Sequence, residues 1–78
     1  MSKSLLDQVV GEVRAELARQ RKSQRWLASV LHLSQAQISD RLLGKVAFNV
    51  PELEATAEAL GVPVTRFLGE SARAERAA

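Results

Sequence analysis

Apolar side chains recur every three or four positions along most of the chain, which is the spacing of one buried helical face. No stretch alternates apolar and polar residues as a half-buried strand would. The pattern therefore predicts a compact all-α domain of five short helices. Their predicted extents are Ser4 to about Gln20, Ser23 to His32, Ser34 to Gly44, Pro51 to Gly61 and Pro63 to Gly69, the last being a turn or a short helix.

Residues at the ends of these segments are typical of helix boundaries. Ser4 is suited to cap the first helix, and Asp7 follows in the first turn, where a carboxylate favours the positive helix end. Ser34 and Gln37 have the spacing of a capping box, in which each side chain bonds the backbone of the other. Gly44 is a typical residue for ending the third helix.

The connection between the third and fourth helices, residues 45–50, is predicted to be irregular, with Val46 and Phe48 against the core. Pro51 fits the first turn of the fourth helix because its missing N–H is harmless there, and it favours an extended Val50. Residues 70–78 have no apolar face, and we expect a flexible tail. One domain is therefore placed at residues 1–69, followed by the tail.

The segment from Gln24 to Leu43 has the plan of a helix-turn-helix: two short helices, a four-residue turn and a polar second helix. Ala28 supplies the small residue needed where the two helices cross closely. Four apolar side chains fill the angle between the helices: Leu27, Leu31, Leu33 and Ile38. His32 stands where the turn requires a left-handed backbone, and His is one of the residue types enriched in that conformation.

These residues resemble a known family. Ser23-Gln24, Leu27-Ala28, Leu33-Ser34-Gln35, Ile38-Ser39 and Gly44-Lys45 follow one another as in the lambda-repressor/Cro-like, xenobiotic-response-element type of helix-turn-helix domain. The continuation RLLGKVAFNVPELEATAEALGVPVTRFLGE is similar to compact regulators of actinobacteria and their temperate phages. The resemblance covers residues 5–69 and implies a lambda-repressor-like fold that binds double-stranded DNA.

The resemblance also implies roles for individual side chains. Base edges in the major groove would be read from the third helix by Gln35, Ala36, Ser39 and Asp40. Phosphates would be contacted by Gln24, Arg25, Lys22, Arg21, Gln37, Arg41 and Lys45, and by Arg19 of the same basic cluster. The side-chain chemistry agrees in part, because a glutamine amide pairs with adenine N6 and N7, an alanine methyl contacts thymine, and a carboxylate accepts from cytosine N4.

Two positions of the third helix depart from the usual pattern of this family. Arg41 stands where an apolar residue is usual, so Leu42 is expected to take over the core contact and leave Arg41 free for a phosphate or for Asp40. Leu43 stands where a polar residue is usual, and is either exposed or an additional packing contact. Trp26 occupies a position that is usually exposed, and here we expect it to be partly buried.

The distribution of charge supports a polyanionic partner more than the net charge of +2 does. Residues 14–45 carry seven basic and two acidic side chains, whereas residues 46–78 carry three basic and five acidic ones. A basic half beside an acidic half is typical of a protein with one face for nucleic acid, although a solvated run of charge would look similar.

Length and composition exclude several classes of function. Seventy-eight residues allow one small domain, and 46% hydrophobic residues indicate a globular chain. The absence of cysteine and the single histidine argue against thiolate zinc sites and against the usual catalytic constellations. We therefore expect no enzyme activity, no cofactor, no metal and no small-molecule effector. Without a signal-peptide pattern or an apolar span, we expect no membrane association and a location in the bacterial cytoplasm, at the nucleoid.

Four apolar residues near the carboxyl end have two possible roles, either the last wall of the core or a dimer surface: Val62, Val64, Phe67 and Leu68. A domain this small reads few base pairs, so specificity generally requires two copies on a two-fold site. The sequence therefore predicts a homodimer formed through residues 62–70.

The leading hypothesis for function is a sequence-specific transcriptional regulator, in its most concrete form a phage Cro-like or immunity repressor that occludes a promoter at a palindromic operator. One alternative is an antitoxin-type regulator that also binds a partner toxin. Another is a protein-interaction module that has lost DNA binding, a possibility that Asp40 and Leu43 favour and the basic excess of residues 14–45 opposes.

Overall fold

The computed structural model describes residues 4–68, and all of its regular structure in that range is helical. Its elements are α1 (Leu5–Arg19), α2 (Gln24–Leu31), α3 (Gln35–Leu42), α4 (Val50–Leu60) and a terminal 3₁₀ helix (Val64–Leu68). The all-α prediction is confirmed, and the fifth element, predicted as a turn or a short helix, is a 3₁₀ helix. None of the helices of residues 4–68 has both the length and the apolar character needed to cross a membrane.

One hydrophobic core joins all five elements. Val13, Leu27, Ile38 and Phe67 are completely buried, and they come from α1, α2, α3 and the 3₁₀ helix respectively. The helix-turn-helix pair α2–α3 packs together, α2 also packs on α4, and α1 packs on the 3₁₀ helix. The α2–α3 pair is therefore held by a core to which all five elements of residues 4–68 contribute.

Each α-helix begins at a polar side chain that accepts a backbone N–H. Ser4 and Ser23 cap α1 and α2, and Ser34 forms the predicted capping box at α3. A second capping box, between Asn49 and Glu52, was missed by the sequence analysis. Because Asn49 is the extended cap residue, α4 begins at Val50, and the predicted extended conformation of Val50 is wrong.

The connection before α4 also differs from its prediction in one residue. Phe48 is buried as expected, but Val46 is 43% exposed. The Val46 amide donates to the Asp40 carbonyl at the end of α3, with an N–O distance of 3.3 Å, which keeps this residue at the surface. The predicted stop at Gly69 and the tail at 70–78 lie outside the described residues, so the domain boundary stays a prediction.

The terminal segment is a 3₁₀ helix because it begins directly after a proline and is only five residues long. The Arg66 amide donates to the Pro63 carbonyl over an N–O distance of 2.9 Å, an i to i+3 bond characteristic of this tighter helix. The short turn is sufficient to bring Phe67 into the core.

All four α-helices end in the same backbone motif. A residue with positive φ follows the helix, and the next amide returns to a carbonyl five residues earlier, as in a Schellman motif. Gly44 and Gly61 occupy the positive-φ position after α3 and α4. Arg21 and His32 occupy it after α1 and α2. His32 has a φ of 56°, which confirms the left-handed turn expected there.

A histidine in this conformation carries a steric cost that glycine avoids, about 1–2 kcal/mol for a residue with a Cβ. His32→Gly is therefore expected to raise the free energy of unfolding by about 1 kcal/mol, measured by urea denaturation. Gly61→Ala is the matched control with the opposite sign, because an added Cβ there meets no atom within 4 Å and only the φ of +70° is strained. A lower stability for His32→Gly would contradict this account.

Candidate nucleic-acid interface

The turn between α2 and α3 fixes the orientation of the second helix. The Leu33 amide donates to the Ala28 carbonyl over an N–O distance of 2.9 Å, and Ala28 is only 5% exposed where the helices cross. Leu27 and Ile38 are buried between the helices, while Leu31 and Leu33 pack against the same core. The prediction that apolar side chains fill the angle between the two helices is confirmed. One side of α3 is therefore fixed against the core.

The other side of α3 faces solvent along its amino-terminal half. Gln35, Ala36 and Gln37 are exposed, and Ser39 and Asp40 are half-buried. Ile38 and Leu42 form the buried stripe, as the spacing predicted. The structure therefore brings the four predicted base-reading residues onto one helix, with the first two fully accessible.

The Gln37 side chain is partly committed to the capping box. Its Oε1 accepts from the Ser34 backbone N–H at a distance of 2.9 Å. Only the amide NH₂ group remains for an external partner, so Gln37 can act as a donor. A donor is what a phosphate oxygen requires, and the predicted phosphate contact is compatible with this geometry.

A shallow depression of about 200 Å³ lies beside the start of α2, between α1 and the end of α3. Its lining residues are Arg14, Leu17, Ala18, Lys22, Gln24 and Leu42. The Arg14 guanidinium donates to the Leu42 carbonyl oxygen over 3.0 Å, which ties α1 to the last turn of α3. Sequence reasoning missed this bond because the two residues are 28 positions apart and no local pattern connects them.

The basic cluster near α2 is exposed, and two of its members have a partner among the described residues, because Arg19 pairs with Glu16 and Lys22 contacts Trp26. Arg21, Lys22 and Arg25 are all exposed, as is Lys45 after α3. The Lys22 ammonium lies over the Trp26 ring at 5.1 Å from its centroid, a cation–π geometry. Trp26 is half-buried and packs against the core, which confirms its expected partial burial.

Arg41 is not free, contrary to the expectation, and its partner is not Asp40. Its Nε and Nη2 donate to the two carboxylate oxygens of Glu52, each over 3.0 Å, and its Nη1 donates to the Gln37 carbonyl over 3.2 Å. Only 14% of the Arg41 side chain is exposed. Of the two alternatives for Leu43, an exposed residue or an additional packing contact, the first is correct, because Leu43 is 62% exposed.

Comparison with known proteins agrees with this geometry. A family model of the BetR domain matches residues 3–76, almost the whole chain. The chain belongs to the BetR domain family. This is a regulatory DNA-binding domain of the helix-turn-helix type and not a catalytic one. Neither the curated proteins nor the solved structures contain a match.

The carboxyl-terminal apolar residues of this BetR domain belong to its own core. Phe67 has no exposed surface, and Val62, Val64 and Leu68 are half-buried against the core. The assignment of Phe67 to a dimer interface needs correction, because a side chain without exposed area cannot contact a second copy unless the core opens. The alternative of a last core wall describes it correctly.

A buried carboxylate joins α1 to the carboxyl-terminal part of the described chain, and no local pattern in the sequence indicates it. Glu16 is 4% exposed and accepts from Gln20, Arg19 and Arg66. The same Gln20 amide nitrogen donates to the Leu60 carbonyl over 2.8 Å, so the network joins α1, α4 and the 3₁₀ helix. The hydrogen bond from Gln20 and the two arginine charges hold the pKa of Glu16 below its ordinary value of 4.5, although burial opposes this.

This network predicts a loss of stability in acid. Because the pKa of Glu16 is lower in the folded chain than in the unfolded chain, its contribution is present above about pH 4.5 and is lost as the pH falls through the lowered value. We expect the free energy of unfolding, measured by urea denaturation across a pH series, to decline less steeply in Glu16→Gln than in the wild type. Glu58→Gln, on the exposed side of α4, is the matched control, and identical profiles for Glu16→Gln and the wild type would contradict the prediction.

Within residues 4–68, histidine, aspartate and glutamate side chains form no group of three that is placed to hold a metal ion. The described surface instead offers amide, methyl and cationic groups, which are the groups that bind base edges and phosphates.

Proposed function

We propose that this BetR domain is a sequence-specific regulator of transcription that binds double-stranded DNA, acting as a Cro-like or immunity repressor that occludes a promoter. The observation that carries the proposal is the exposed amino-terminal half of α3, together with three exposed cations that lie in the α2–α3 pair or next to it along the chain: Lys22, Arg25 and Lys45. This combination supports insertion of α3 into the major groove with the strands gripped on both sides. Such a regulator would act on nucleoid DNA in a bacterial cytoplasm.

The roles follow from chemistry and exposure. The Gln35 amide is accessible and suited to adenine, and the Ala36 methyl is suited to thymine. Asp40 is half-buried one turn later and would accept from cytosine N4, with Ser39 beside it. Gln24, the first residue of α2, would bind a phosphate where the helix dipole favours an anion.

Specificity requires more base pairs than one such helix reads, so the proposal includes a homodimer on a palindromic operator. Of the residues predicted for its interface, Val62, Val64 and Leu68 keep some exposed surface and remain candidates. Phe67 contributes indirectly, by supporting them from the core.

Selection of binding sites from random duplexes tests the proposal directly. We expect one enriched half-site, repeated with two-fold symmetry and about 10 base pairs between half-site centres. Gln35→Ala should relax the preference at one position of each half-site, whereas Glu58→Gln on α4 should leave the selected sequence unchanged. Recovery of no enriched sequence from the folded wild type would exclude a sequence-specific regulator.

The second candidate is an antitoxin-type regulator, which would bind a partner protein as well as DNA. It is favoured by three exposed apolar side chains around the connection between α3 and α4: Leu43, Val46 and Val50. Co-expression with the product of a neighbouring toxin-like gene should then yield a stoichiometric complex. Substitution of Leu43 and Val50 by serine should prevent formation of that complex. A complex that still forms would exclude this surface as the binding site for the partner protein.

A further inference from the structure

Arg41 is the one cationic side chain of α3, whose sequence is QAQISDRL and whose eight residues are all described. Its guanidinium forms a two-bond fork with the Glu52 carboxylate and a third bond to the Gln37 carbonyl. The side chains of Arg41 and Glu52 are 14% and 13% exposed. Three of the five N–H groups of the Arg41 guanidinium are thus committed within the domain, and its Nε–Nη2 edge is not available to a phosphate.

Glu52 is itself fixed in position by the start of α4. Its Oε1 also accepts the Asn49 backbone N–H at 3.0 Å, and the Asn49 side chain accepts the Glu52 N–H at 2.8 Å. Partial burial raises the pKa of Glu52, but the hydrogen bonds from Arg41 and Asn49 and the Arg41 charge hold it below its ordinary value. The carboxylate is therefore ionised at neutral pH and does not follow Arg41 if that side chain turns toward solvent.

We propose that Glu52 is a positioning residue that withholds Arg41 from the DNA backbone, so that α3 reads base edges without making a cationic contact to a phosphate. The inference rests on the proposed DNA-binding function. Moving Arg41 to a phosphate would leave the Glu52 carboxylate partly buried and unpaired, close to the polyanion, and both changes oppose the move. Glu52 thereby limits how many phosphates the domain neutralises.

The consequence concerns binding to DNA of any sequence. Each phosphate that a protein neutralises adds to affinity irrespective of sequence and steepens the salt dependence of log K by about 0.9. A cation released from α3 would lie on the helix that enters the groove and would find a phosphate in every register. Glu52 therefore keeps the sequence-independent affinity low.

The test compares the salt dependence of binding to a labelled random-sequence duplex, measured by fluorescence anisotropy on the full chain. Arg41→Gln should leave the slope of log K against log salt unchanged. Glu52→Gln keeps an oxygen to accept the Asn49 N–H but removes the second acceptor for Arg41, and should steepen the slope by about 0.9 with a several-fold gain in affinity near 0.1 M salt. The double variant should return to the slope of the wild type.

Glu54→Gln is the matched control, since Glu54 is exposed two residues further along α4 and makes none of the ion pairs of residues 4–68. Equal gains in Glu54→Gln and Glu52→Gln, or a gain that persists in the double variant, would show a long-range effect of charge and overturn the proposal. A slope that falls by about 0.9 in Arg41→Gln alone would also overturn it, and this arm holds even if Glu52→Gln fails to fold. A wild type that binds no duplex would overturn the proposed function itself, which is a distinct result.

Discussion

Replacing Phe67 with alanine is expected to leave the domain largely unfolded at 25 °C. Phe67 is completely buried, at the point where the 3₁₀ helix closes the core over α1. Removing a buried phenylalanine ring costs about 3–5 kcal/mol. A core of this size supplies about the same amount of net stability. The substitution therefore removes nearly the whole margin.

Urea denaturation followed by circular dichroism measures this effect. Phe67→Leu keeps most of the side-chain volume and should lose only about 1–2 kcal/mol, which preserves a measurable transition. Leu43→Ala is the surface control, because Leu43 is 62% exposed, and its effect should stay within about 0.5 kcal/mol. A Phe67→Ala variant that remains folded but no longer self-associates would instead return Phe67 to a dimer interface.

The helix boundaries could be predicted because their causes are local. The capping box of Ser34 and Gln37 and the positive φ at His32 and Gly61 each depend on residues within one turn of chain. The Asn49 box was accessible in the same way, but Pro51 drew the predicted start of α4 one residue too late. Interactions between residues close in sequence therefore account for most of the helix boundaries around the candidate interface.

The role of Phe67 illustrates which assignments the amino-acid sequence alone does not determine. Its spacing indicates an apolar face near residues 62–68, but the same face could cover the chain's own core or a second copy. The position of the 3₁₀ helix against α1 places Phe67 in the core, whereas a dimer role for the half-buried residues beside it stays a prediction. The fold class follows from periodicity, whereas the assignment of a surface requires tertiary structure.

The charged side chains show the same limit more strongly. Arg41 pairs with Glu52 across 11 positions, and Glu16 pairs with Arg66 across 50. A sequence counts such charges but does not pair them, so Arg41 was expected to be free for a phosphate. The exposure of Gln35 and Ala36 was predicted correctly because it follows directly from helical geometry, whereas their contact with bases stays a prediction.

A variant with Lys22, Arg25 and Lys45 all replaced by alanine is expected to lose about 10²–10³-fold in DNA affinity near 0.1 M salt. The three side chains are exposed, and among the described residues Lys22 contacts only the half-buried Trp26 ring by a cation–π interaction. Each would neutralise one phosphate, and the slope of log K against log salt should become shallower by about 2.7. Exposed charges contribute little to folding, so the thermal unfolding of this variant should stay close to that of the wild type.

Comparison of the triple variant with Gln35→Ala distinguishes the contribution of phosphate contacts to DNA affinity from the contribution of base contacts. The triple variant should weaken binding to the selected operator and to a random duplex by similar factors, because phosphates carry no sequence information. Gln35→Ala should weaken only the operator complex, by about 1–3 kcal/mol, with the salt slope unchanged. If the triple variant kept the salt slope of the wild type, the exposed cations beside α2 and α3 would not face the DNA, and α3 would have to approach the duplex from another side.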